Sequence, residues 1–421
     1  MKSHDAVSYS SPSKIRLVLL IAFSVVTTGA AGGGSVTTPS AAGSNAPRSR
    51  GELISSESLI AVPADQLTQL RAQAGLPAAH FGANLMRITY GTVDPAGKPI
   101  IASGLLALPI GTMKIPAVVS YQHGTTLLKT DVPSTLGNSA GRSVTALFCA
   151  NGYAIVAEDY LGMGVSPGMH PYLHADTEAS AAGDLLIAAK KAAAKQQITL
   201  PHSLFLAGYS QGGHSTLALQ RYLETHPASL TDWQLLGVAA MAAPADLSGV
   251  GLRASLQPTS PSRNLTIFAA HVILAMDSVY HFITRPRDVF QDPYASTLPA
   301  RFNGLNDYAA LEESIPVSPT DLIRPAFLAA INSQAAHPLR IALQKNDVYD
   351  WKPMAPLHLI HARQDNVVSF AHSQKAFEIM KAKGGNVTLI PIEGALTHQD
   401  AVQPALELAA DWLYRLAPPA P

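Results

Sequence analysis

The chain has 421 residues, 47% of them hydrophobic, and its 29 Lys and Arg balance 29 Asp and Glu. That is enough apolar material for a substantial core, in one large domain with an insertion or in two domains. The absence of any basic run removes the electrostatic footprint of a nucleic-acid binder. A single cysteine, Cys149, excludes an internal disulfide, and its helix-like surroundings from Ser143 suit a small apolar filler better than a reactive thiol.

Lys14 and Arg16 precede an apolar stretch, Leu17 to Val26, and then small residues through Ala31. Ten apolar residues are too few to cross a bilayer, so residues 1–31 read as a cleaved export signal, with the mature chain starting near Ala31 or Gly32. The expected destination is the periplasm or the medium. No cysteine stands at the cleavage region to carry a lipid. Residues 32–52, rich in Gly, Ser, Thr, Ala and Pro, read as a flexible linker outside the fold.

Met86–Tyr90 and Ile100–Leu108, separated by Asp94–Lys98 with its Pro and Gly, read as an antiparallel hairpin. Beyond it, short apolar runs at 115–121, 153–157, 203–207, 235–242, 357–361 and 387–391 alternate with helix-like segments near 141–151, 176–195, 211–226, 369–383 and 400–416. Continuous apolar strands alternating with helices indicate an α/β fold, a mostly parallel twisted sheet covered by helices on both faces. Residues 246–352 break the alternation. Asn264–Ile283 and Thr320–Leu343 read there as helices of an inserted cap, which divides the core into 53–245 and 353–421. A cap at that point lies over the strand ends, where open α/β sheets bind ligands.

The pattern G-x-S-x-G occurs three times, around Ser139, Ser166 and Ser210. In a nucleophile elbow a strand runs into a sharp turn, the serine is lifted out of the sheet, and the next residue donates a backbone N–H while opening a helix. Ser166 fails because Pro167 follows it and has no N–H. Ser139 follows Lys129–Leu136, a polar segment with a proline, and so has no strand to leave; it reads as a helix opener. Ser210 follows the apolar run 203–207, and Gln211 and two glycines, Gly212 and Gly213, open the helix after it. A nucleophilic serine needs a base and the base needs an orienting group. Asp365 follows one late strand and His398 follows the last, in the order Ser, Asp, His. Asp246, after the run at 235–242, is the alternative acid.

From about residue 85 to 417 the chain resembles the α/β-hydrolases, and among them the secreted lipases and esterases of the secretory-lipase type. The resemblance rests on Tyr121–Thr126 (YQHGTT), Glu158–Gly164 (EDYLGMG) with His170–Leu173 (HPYL), the elbow, and the loops of Asp365 and His398. It implies Ser210 as nucleophile, His398 as base, Asp365 as acid, and an oxyanion hole from the backbone N–H groups of Gln211 and Thr125. It implies cleavage of a small-molecule or lipid ester with no cofactor. His170 and His174 stand four apart, but Pro171 interrupts them and no carboxylate or cysteine set completes a metal site. A peptidase or an acyltransferase uses the same triad, and an inactive binding module of the fold is the alternative of another class. In the cap, Ile267–Ala275 is apolar enough to line an acyl pocket, touch a lipid surface transiently, or simply pack on the core.

Overall fold

Strands that are apolar throughout can be satisfied only where both faces of the sheet are covered. Val118–Gln122 (β4) and Ala154–Glu158 (β5) are buried at every residue, and Ser203–Tyr209 (β6) at all but its first. The computed structural model describes residues 49–136, 139–226, 232–256 and 261–419. The expected export signal and most of the expected linker lie outside them.

Ahead of these strands come β1 (Leu53–Val62), helix α1 (Ala64–Gln73), β2 (Gly82–Val93) and β3 (Pro99–Ile110). Helices α2 (Ser139–Leu147), α3 (Ala175–Lys195) and α4 (Gln211–Thr225) precede β5, precede β6 and follow β6, respectively. Strand β7 (Gln234–Met241) leads into the insertion, and β8 (Leu357–Ala362), α12 (Ala371–Ala382), β9 (Val387–Ile392) and α13 (Val402–Leu416) close the chain. The insertion holds α5 (Leu252–Leu256), α6 (Arg263–Tyr280), α7 (Tyr294–Arg301), α8 (Tyr308–Glu312), α9 (Pro319–Leu322), α10 (Pro325–Ser333) and α11 (Pro338–Lys345).

The strands form one nine-stranded sheet in the order β1-β2-β3-β5-β4-β6-β7-β8-β9. Pairing is antiparallel from β1 to β5 and parallel from β5 onward. One apolar cluster joins the sheet to α3, α4 and α12; a second joins its other face to α1, α2 and α13. From β4 the chain steps to β5 on one side and then returns to β6 on the other. The crevice beyond β4 and β6 is therefore the topological switch point, where doubly wound sheets bind ligands.

The hairpin turn is built by Asp94, whose carboxylate accepts the Ala96 and Lys98 N–H groups, and by Gly97 at φ 77°. In strand β1, Ser55–Ser58 separates two apolar residues from a four-residue apolar end, so alternation is weak, yet it pairs along β2. The chain is tied down before it. Arg50 Nε donates to both oxygens of Asp184 on α3, and Gly51 N–H bonds Gly91 O. The expected helix over Thr320–Leu343 is broken into α9, α10 and α11. Pro325 and Pro338 each stand at the first helical position, where a missing N–H costs nothing, and each would disrupt a helix running through it. The insertion has its own apolar cluster, which includes Leu127, Tyr172 and Leu173 from the sheet side. Ile267, Ile273 and Leu274 of α6 are buried in it, so Ile267–Ala275 mostly faces inward. Among the described residues, no helix is long and apolar enough to cross a membrane.

Candidate active site

The turn after β6 leaves no room for side chains at its glycines. A Cβ on Gly208 would stand 2.3 Å from Gly212 O, one on Gly212 1.9 Å from Gln122 O, and one on Gly213 2.5 Å from Met241 O. The start of α4 is thereby pressed against the ends of β4 and β7. Ser210 is held at φ 61° and ψ −122°, with its N–H donated to Met241 O at 2.9 Å. For a residue other than glycine such a conformation costs about 1–3 kcal/mol, and it turns the side chain away from the sheet.

Ser210 Oγ lies 2.9 Å from His398 Nε2, and His398 Nδ1 lies 2.6 Å from Asp365 Oδ2. The carboxylate can only accept, so Nδ1 carries the proton and Nε2 presents a lone pair to the serine hydroxyl. Asp365 Oδ1 accepts the N–H groups of Val367 and Val368 at 2.9 and 2.8 Å. His361 Nε2, which donates to Val368 O at 2.8 Å, stands 3.4 Å from Asp365 Oδ2. Burial pushes the Asp365 carboxyl up, but His361 and His398 outweigh it and hold the group well below the usual carboxylate range. Asp365 is thus ionised beside the imidazole it orients. The loop from His123 borders the serine, since a Cβ on Gly124 would be 4.0 Å from Ser210 Cβ. Gln211 is the first residue of α4, so its N–H has no acceptor within the helix.

No protein-family model and no curated protein matches the chain. Among solved structures it is similar to the rice cell wall degrading esterase LipA from Xanthomonas oryzae, with 27% identity over 88% of this chain and 100% of that one, at a TM-score of 0.81. It shares its fold also with Candida antarctica lipase A, at 15% identity over 89% of this chain and 83% of that one, with a TM-score of 0.63. The chain has the α/β-hydrolase fold.

In this hydrolase the alternative acid, Asp246, is committed elsewhere. It caps the turn Leu247–Gly251 through the Gly249 and Val250 N–H groups and pairs with Lys375 Nζ at 2.7 Å. Ser166 is buried just after a turn, its N–H bonded to Met163 O, and Ser139 is the exposed first residue of α2. His123 donates through Nδ1 to Gly124 O at 2.7 Å and packs at a 45° tilt against the Tyr160 ring, a loop-shaping arrangement. His174 bonds Thr177. Among the described residues no group of His, Cys, Asp and Glu is arranged to hold a metal ion.

Several side chains that steady the site escape a reading of the sequence. Tyr209 Oη donates to His398 O at 2.6 Å, and Asn366 Oδ1 accepts the His398 N–H at 3.0 Å, so the histidine loop is clamped from both sides. Their adjacency to Ser210 and Asp365 is the available signal. His361, at the end of β8, carries none beyond standing four residues before Asp365. Behind the nucleophile, the Gln211 side chain donates to His170 Nε2 and Glu178 Oε1 at 2.8 and 3.1 Å, and Glu178 Oε2 takes His214 Nδ1 at 2.7 Å.

Proposed function

We propose that this α/β-hydrolase is an exported serine esterase that cleaves carboxylic esters through Ser210, His398 and Asp365 by way of an acyl-enzyme. The ester-hydrolase class rests on the likeness, over nearly the whole chain, to the esterase LipA. The one observation that carries the mechanism is the unbroken relay from Asp365 Oδ2 through His398 to Ser210 Oγ, at 2.6 and 2.9 Å.

In that reading His398 Nε2 takes the Ser210 proton as Oγ attacks the ester carbonyl, and Asp365 stabilises the imidazolium that forms. The tetrahedral oxyanion is met by the backbone N–H groups of Gln211 and Thr125. Loss of such a donor costs about 3 kcal/mol in other hydrolases. Collapse expels the alcohol, which takes its proton from His398. Water, activated by the same imidazole, then attacks the acyl-serine and releases the acid. The exported character rests on Lys14, Arg16 and the short apolar stretch to Val26. Substitution of Ser210 by Ala tests the reading: the variant keeps its fold and loses hydrolysis of a simple aryl ester, whereas surviving turnover removes Ser210 from the mechanism.

A further inference from the structure

Between β5 and α3 the segment His170–Leu173 sends two ring side chains toward the two sides of the oxyanion hole. His170 Nδ1 donates to Leu161 O at 2.8 Å, which leaves Nε2 as an acceptor. That lone pair takes one N–H of the Gln211 side-chain amide at 2.8 Å, and Glu178 takes the other. Burial holds the His170 imidazole down at about 4, so it remains a neutral acceptor across the neutral range. Two positions on, the Tyr172 hydroxyl bonds Thr125 Oγ1 at 2.8 Å. The Tyr172 ring lies flat on His271 of the cap helix α6, with centroids 4.3 Å apart and planes within 1°, and His170 meets the His271 ring edge-on at 6.0 Å. All three rings are nearly fully buried. Neither His170 nor Tyr172 has a part in the proton relay.

We propose that His170 and Tyr172 are positioning residues that hold Gln211 and Thr125, the two oxyanion donors, in register with Ser210. The proposal rests on the reading of those two residues as the donors. Tyr172 anchors the Thr125 loop through one hydroxyl pair and is itself braced from the cap side by His271. His170 fixes the side chain of the residue whose N–H faces the substrate. An oxyanion hole works by being preorganised, so a donor free to drift loses rate in the transition state and little in substrate binding.

Steady-state kinetics of the full chain on a soluble aryl ester test this. Tyr172→Phe removes one oxygen and keeps the stack; it lowers kcat about tenfold, short of the hundredfold or more for a deleted donor, with KM little changed. Thr125→Val lowers kcat similarly, and the double variant loses no more than Thr125→Val alone, because both changes break the same hydroxyl pair. His170→Leu, which leaves a Gln211 N–H unpaired, also lowers kcat, and His170→Gln, whose amide oxygen reaches toward the place of Nε2, restores part of it. A kcat for Tyr172→Phe within twofold of the parent, or losses that multiply in the double variant, overturns the proposal. If Ser210→Ala is inactive in that same assay, only the positioning role falls. If Ser210→Ala is active, the site reading beneath it falls as well.

Discussion

Asp365 shows how a carboxylate is kept charged inside a protein. Two backbone N–H groups hold one oxygen, and His398 and His361 face the other. Without those partners burial would favour the neutral acid, which could donate to His398 and trap the wrong tautomer. Asp365→Asn is therefore expected to fold and to lose roughly four orders of magnitude in kcat. The same residue sets a pH dependence of stability. Its folded pKa lies below the unfolded value of about 3.9, so its contribution is complete above that value and is lost as the pH falls through the folded one. The stability gap between the parent and Asp365→Asn, measured by urea unfolding, should shrink from about pH 4 downward. A gap that widens there contradicts this description of the carboxylate.

At the scale of the element, the elbow depends on the absence of side chains. Gly212→Ala places a Cβ 1.9 Å from Gln122 O, a backbone atom at the end of β4 that cannot swing aside. The start of α4 must then lift from the sheet, with a cost of about 1–3 kcal/mol or more in stability and a loss of activity as Gln211 moves. Thermal unfolding and aryl-ester kinetics on the same preparation check both effects. Strands β4, β5, β6 and β8 were legible because burial on both faces writes itself as continuous apolar runs. Strand β1 was not: Ser55–Ser58 obscures its alternation, and its place depends on pairing with β2. The helix expected over 320–343 failed at Pro325 and Pro338, whose position at helix starts was visible in the sequence and outweighed by composition. Ser210, Asp365 and His398 were expected from motif, strand context and order, and the fold brings the three side chains within hydrogen-bond distance of one another. Tyr209, Asn366 and His361 act across distances that only the folded chain defines.

For the whole molecule, the crevice beyond β4 and β6 brings the elbow, the His123–Thr125 loop and the late-strand loops of Asp365 and His398 to one edge of the sheet. The insertion packs there through Leu127, Tyr172 and Leu173. The proposed export is tested at this scale: protein recovered outside the cytoplasm should begin at Ala31 or Gly32, as N-terminal sequencing would reveal, and an intact Met1 there contradicts cleavage. Ser210 as an activated nucleophile is open to direct chemical test by reaction with a fluorophosphonate probe, followed by peptide mass analysis. A single phosphonyl adduct is expected on Ser210 in the parent chain and none in Ser210→Ala. An unlabelled parent, or an adduct on another serine, contradicts it.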